Sequence, residues 1–423
     1  MQLANRSERI NILRDLCTDA IVAEELLAYG ETGFAADALA ADREYPLPDE
    51  PFVEAWRTYA DEAMRDGAGA TLRRHFLQLQ FPVVEGMHAR EDYLTATRRG
   101  VIPRESNAPP FADESGLTIS LHATAAGRIG VIVADHRADF QRIVRSFANH
   151  NEPAVVPTSM GACIIGGYNN WSRVARLREQ WLAQHATQDD SAVSEAAWRA
   201  EFQRLMPRRE LYQDRFIVAS TGPYSATPAH TLGLSDDEWR RISLVIRVEH
   251  ESAHYFTRRV FGSMRNALLD ELIADYTGIV AARGAFEPEW LLRFMGVEHP
   301  TQWRADGRLA NYRGTPPLSS AAFRVLQTIV RRAAATLARF DALWRDHARS
   351  MTGDTGPRSL SDVARIITAI ASAGLERLSL DDFAHELFAA ATTHLTSLPG
   401  IGPLTADPSR TDQERYLLRC STA

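Results

Sequence analysis

Apolar residues at Ile10, Leu13, Leu16, Ile21, Leu26 and Leu27 form a broad stripe that predicts helix over residues 7 to 29. A Pro- and acid-rich stretch from Tyr45 to Pro51 separates it from a second helical run at 52 to 80, and a third short helix is expected over 86 to 98. Pro103, Pro109 and Pro110 then mark a loop. After Gly116 the period changes. LTISLHATAAGRIGVIVADH contains two β-rich runs around Ala125, Ala126 and Gly127 and reads as a hairpin, followed by a helix over about 137 to 148. Two uncharged stretches, roughly 153–172 and 216–235, are rich in Gly, Pro, Ser, Thr and Asn, which suits a buried cleft wall and equally a plain buried connection. From 236 onward the pattern is mostly helical. Ser235 or Asp236 can cap a long helix to about Phe261, a second reaches about Arg283, and others are expected near 288–295, 318–348, 360–374 and 380–396. The expected architecture is α+β, with a small mixed or antiparallel sheet and a helix-dominated C-terminal half. Three segments are drawn: 1–110 mainly helical, 111–235 α/β with cleft loops, and 236–423 helical.

Composition narrows the function classes. The 423 residues are 45% hydrophobic and 24% charged, which is an ordinary globular balance. The formal charge of -7 argues against a nucleic-acid partner, although arginines pair at Arg208–Arg209 and Arg331–Arg332. Cys17, Cys163 and Cys420 fit neither a zinc ribbon nor a disulfide framework and read as reduced thiols. MQLANRSERINILRDL has no apolar signal core, and no 18-residue apolar run exists. A cytoplasmic location with no membrane partner is therefore expected.

The chemistry concentrates in VEHESAHYF, where His250-Glu251-Ser252-Ala253-His254 is an HExxH motif on a predicted helix. Spacing i, i+4 places both imidazoles on one face, one turn apart, as two ligands of one ion require. Glu251 lies beside them, in reach of a water held there. Gly262-Ser263 offers a stop, and the next helix carries Asp270-Glu271-Leu272-Ile273-Ala274-Asp275. His254 lies eight residues before Gly262 and Glu271 nine after it, so a hairpin at that point brings the two level. Glu271 would complete a His₂Glu set with the fourth position open. Asp275, one turn further, is placed to accept from a ligand histidine, most naturally His250. Gly278 would let the two helices approach closely. Leu268, Leu269, Leu272, Ile273 and Ile279 make this helix largely apolar, so its carboxylates need partners.

HESAH followed by DELIAD resembles the gluzincin class of zinc metallopeptidases, over residues 246 to 280. The resemblance implies a zincin-like active-site helix pair and one zinc ion per chain, held by His250, His254 and Glu271. It also implies Glu251 as catalytic base, Asp275 as support, and a peptide or small amide as substrate. Such enzymes run substrate along an edge strand before the motif helix, and DRFIVASTGPYSATPA at 214–229 is the candidate. An ordinary core strand is the other reading of that run. An oxyanion donor is expected downstream of the third ligand, which puts Tyr312 ahead of His299 and Tyr224. Tyr224 and Asn170 are candidate substrate contacts. Asn169, Asn170 and Trp171 could equally be turn and core residues. Tyr255 and Tyr276 are expected to pack behind the site. The other histidines pair at no ligand spacing. Three alternatives stand beside the peptidase: a non-heme iron oxygenase on the same His/His/Glu set, a metallohydrolase of a small molecule, and a catalytically inactive metal-binding protein. An intact Glu251 and the lack of a fourth ligand favour hydrolysis.

Overall fold

A computed structural model describes residues 4–41, 43–104, 106–185, 191–263, 267–352 and 356–393. The N-terminal stripe forms two helices, α1 (Arg6–Leu16) and α2 (Ala20–Tyr29), rather than one. The chain breaks at Cys17, and the Asp19 carboxylate restarts it by accepting from the Ile21 and Val22 N–H groups. A short α3 (Ala36–Ala40) follows. The expected run at 52–80 is likewise divided, into α4 (Val53–Asp66), α5 (Ala68–His75) and a 3-10 turn at Leu77–Gln80. The break between α4 and α5 is Gly67, whose φ of 88° a side chain would resist. Next is α6 (Glu91–Arg99).

The hairpin is present as β1 (Leu117–Thr124) and β2 (Gly127–Ala134), and α7 (Arg137–Ala148) follows it. Then come β3 (Ala162–Asn169), α8 (Trp171–His185), α9 (Ser191–Leu205) and β4 (Gln213–Ser220). The four strands form one mixed sheet in the order β1-β2-β4-β3. β4 runs parallel to β2 and antiparallel to β3. This corrects the edge-strand expectation for 214–229: β4 is interior, and the edge next to it is β3. The physical sign is the unbroken apolar run Phe216-Ile217-Val218-Ala219, all buried, which suits a strand covered on both faces. On one side Phe216 meets the rings of Trp56, Phe76, Phe147 and Tyr168.

Among the described residues, every regular element after residue 235 is helical: α10 (Asp236–Phe261), α11 (Ala267–Arg283), α12 (Pro288–Met295), α13 (Ser320–Thr352), α14 (Leu360–Leu378) and α15 (Ala384–Thr392), with short 3-10 turns. The fold is thus α+β and helix-rich around a small mixed sheet. One apolar core runs from Ile10 to Ala391 and draws on all three sequence segments. Long α10 packs against β3, β4 and α11, which sets the stage for the site. None of the described helices is long and apolar enough to cross a membrane. Cys17 and Cys163 form no disulfide among the described residues, while Cys420, His394 and the expected end of the last helix lie outside them.

Candidate metal centre

The helix that carries HESAH is well specified locally. Ser235 caps α10 by accepting from the Glu238 N–H, acids fill its first turn, Arg258 and Arg259 fill its last, and Gly262 closes it at φ 74°. α11 returns antiparallel to it. Ile246 meets Gly278, His250 meets Asp275, and His254 meets Asp270, so rising numbers on one helix oppose falling numbers on the other. Gly278 is required for this approach, because a Cβ there would stand 2.7 Å from the Ile246 carbonyl oxygen.

The hairpin brings His250, His254 and Glu271 together. Their nearest atoms are 3.1 Å apart between the two Nε2 atoms, 3.4 Å from His250 Nε2 to Glu271 Oε2, and 3.6 Å from His254 Nε2 to Glu271 Oε1. A tetrahedral ion with bonds of about 2.0–2.1 Å places neighbouring ligand atoms roughly 3.3–3.4 Å apart. The observed triangle fits, and these three residues could hold a metal ion.

The far side of each ring supports the same reading. His250 Nδ1 donates to Asp275 Oδ1 at 3.0 Å, and His254 Nδ1 donates to Asp270 Oδ2 at 2.7 Å. With Nδ1 engaged on both rings, the two Nε2 atoms face each other across 3.1 Å, a contact that needs a shared proton or a metal ion between them. Burial opposes charge on His250, but Asp275 and Glu271 outweigh it and raise its pKa to about 10. Burial opposes charge on His254 too, and Asp270 raises it. Glu271 is half-buried, which by itself would raise its pKa, yet the two histidines hold it well below the usual carboxylate range. A group of this charge pattern favours a cation at its centre.

Glu251 sits beside the triangle at 7% exposure. Burial pushes its pKa up, and it accepts a hydrogen bond from the Ile164 N–H of edge strand β3. Its Oε2 is buried without a hydrogen-bond partner among the described residues. Tyr312 lies on the 3-10 turn Arg308–Tyr312, which the Tyr29 hydroxyl anchors at the Tyr312 carbonyl. Its own hydroxyl donates to Glu271, so the leading oxyanion candidate does reach the site. His299 is exposed on a loop, and its carbonyl is taken by Arg331.

Two substrate-contact assignments are corrected. Tyr224 is buried behind the ligands, with its hydroxyl bonded to Asp275, Arg308 and His250. A phenol so fully engaged has no capacity left for substrate. Asn170 belongs to a separate buried network: its amide reaches Tyr59 and Asp214, and its side-chain oxygen caps α8 at the Arg173 N–H. Asn169 pairs with Gln213, and Trp171 donates to the Thr97 carbonyl, so this segment is turn and core. Tyr255 and Tyr276 are buried behind the helices, bonded to Glu50 and Asp341.

Sequence reasoning missed two residues. Asp270, the partner of His254, stands directly before Glu271, and its role follows from the same hairpin register that singled out Glu271. Arg308, which pairs with Asp275, left no signal in the sequence. No curated protein and no solved structure matches the chain. A family model described as a family of unknown function (DUF7005) matches residues 11–382, and the chain therefore belongs to that family.

Proposed function

We propose that this chain is a zinc-dependent hydrolase of amide bonds, a metallopeptidase, with Glu251 as its general base. The observation that carries the reading is the Glu251 carboxylate. It is buried, raised in pKa and short of one hydrogen-bond partner, directly beside a His–His–Glu set that could hold an ion. A bound zinc ion would polarise the scissile carbonyl and make water acidic enough to attack near neutrality. Glu251 Oε2 takes the proton from the attacking water and passes it to the leaving amine nitrogen. Burial suits this task, since a base with a raised pKa holds the proton long enough to deliver it. Tyr312, whose O–H rests on Glu271, would turn that donor to the carbonyl oxygen when Glu271 is engaged by the ion.

A peptide substrate is favoured by β3. Gly161 accepts from the N–H of Ser220, the last residue of β4, so by strand alternation Ala162 and Ile164 present their polar groups to the outer edge, where the Ile164 N–H meets Glu251. An extended peptide laid along that edge would pass Glu251 as an added strand. The test is a screen of peptides and small amides with zinc-loaded protein, followed by Glu251→Gln on any substrate found. Turnover should fall about 10²–10⁴-fold with metal content unchanged. A variant that turns substrate over at the wild-type rate would exclude this mechanism. Tightly bound iron without zinc would favour the oxygenase instead.

A further inference from the structure

We infer that Tyr224, braced by Arg308, is a positioning residue for His250 and acts through Asp275; the inference rests on the metal-centre reading. Four separate segments meet at this point: the loop after β4 (Tyr224), α10 (His250), α11 (Asp275) and the 3-10 turn at 308–312 (Arg308). The Tyr224 hydroxyl donates to Asp275 Oδ1 at 2.6 Å and accepts from Arg308 Nη1 at 2.8 Å. It also stands 2.9 Å from His250 Nδ1. Arg308 Nη2 pairs with Asp275 Oδ2. Both oxygens of a fully buried carboxylate are therefore committed, which fixes its plane. A fixed Asp275 in turn fixes the tautomer and tilt of the His250 ring, and so the aim of Nε2.

The loop is built to present this phenol. Buried Arg247 of α10 donates to the carbonyls of Ser220, Gly222 and Pro223, and Ser243 Oγ accepts from the Tyr224 N–H at 2.9 Å. The next two residues, Ser225 and Ala226, are left-handed at φ 54° and 53°. Non-glycine residues hold that conformation only where the surroundings enforce it. His254 has no comparable brace: Asp270 meets it with one oxygen, while Asp270 Oδ1 has no partner among the described residues. The two ligand histidines are thus supported unequally, and the extra hydroxyl and guanidinium serve His250 alone.

The test compares wild type, Tyr224→Phe and Arg308→Lys by competition with a chromophoric chelator for Zn²⁺, and by the visible spectrum after Co²⁺ loading. Phenylalanine keeps the ring contact with Phe294 and removes only the hydroxyl. Tyr224→Phe should bind about 10–100-fold more weakly and alter the Co²⁺ bands, while the lost buried hydroxyl lowers the metal-free melting midpoint without unfolding the protein. Arg308→Lys keeps charge beside Asp275 but loses the planar fork, so it should shift both readouts in the same direction. Wild-type affinity and spectrum in both variants would overturn the inference while leaving the metal site standing. So would weaker binding with an unaltered Co²⁺ spectrum, because a merely destabilised fold weakens binding without re-aiming the ligands. A wild type that takes up neither ion would overturn the metal-centre reading itself.

Discussion

Replacing Glu251 by glutamine should stabilise the metal-free fold. The residue is 7% exposed, and one carboxylate oxygen has no partner among the described residues. A buried polar group left unsatisfied costs about 1–3 kcal/mol, and a charged one lies toward the upper end. Glutamine can still accept from the Ile164 N–H, but its amide nitrogen inherits the unpartnered position, so part of the cost persists. The net gain expected is about 1–2 kcal/mol. Its pH dependence follows from the raised pKa of Glu251 in the fold. Below the unfolded value the carboxyl is neutral in both states and imposes no penalty. As pH rises past that value the unfolded chain ionises first, and the penalty grows until the folded group ionises too. The advantage of the variant is therefore largest near neutrality and shrinks as the pH falls. Urea titration of chelator-treated proteins at several pH values, with equal m-values, measures it. A variant less stable than wild type at pH 8, or an advantage that grows in acid, would refute the reasoning.

Asp270→Asn should weaken zinc binding about 10–100-fold in a chelator competition, because it removes the charge behind His254. Asn170→Ala should leave Tyr59 and Asp214 each short of a partner and cost about 1–3 kcal/mol in urea denaturation, with metal affinity unchanged. Gly278→Ala would set a Cβ 2.7 Å from the Ile246 carbonyl. It should lower both stability, by about 1–3 kcal/mol, and metal affinity, because it forces α10 and α11 apart. Metal affinity should fall as pH falls, with proton release visible by calorimetry in buffers of different ionisation enthalpy. The reason is that His250 and His254, both raised in pKa, must bind the ion in their neutral form.

What the sequence made legible was local. Four-residue spacing put His250 and His254 on one face, and a glycine stop eight residues after His254 and nine before Glu271 set the register of α10 against α11. One further turn led to Asp275. The hairpin of β1 and β2 was readable because its partners are adjacent in the chain. What depended on distant pairing was not readable. β4 lies parallel to β2, with paired residues 86 apart in sequence (Gly130 and Phe216), and nothing within 214–229 states which strand lies outside it. β3 was hidden in a Gly-rich uncharged stretch, GACIIGGYNN, that resembles a loop by composition. Tyr224 was recognised as belonging to the site but assigned to its front, since composition does not say which way a ring points. Arg308 comes from a short 3-10 turn with no periodicity to betray it.

The metal content of the purified protein tests the central claim most directly. Elemental analysis of wild type and His254→Ala, expressed with ample zinc, should find one equivalent of zinc per chain in the first and essentially none in the second. A wild type without stoichiometric metal, or a His254→Ala protein that retains it in full, would contradict the account.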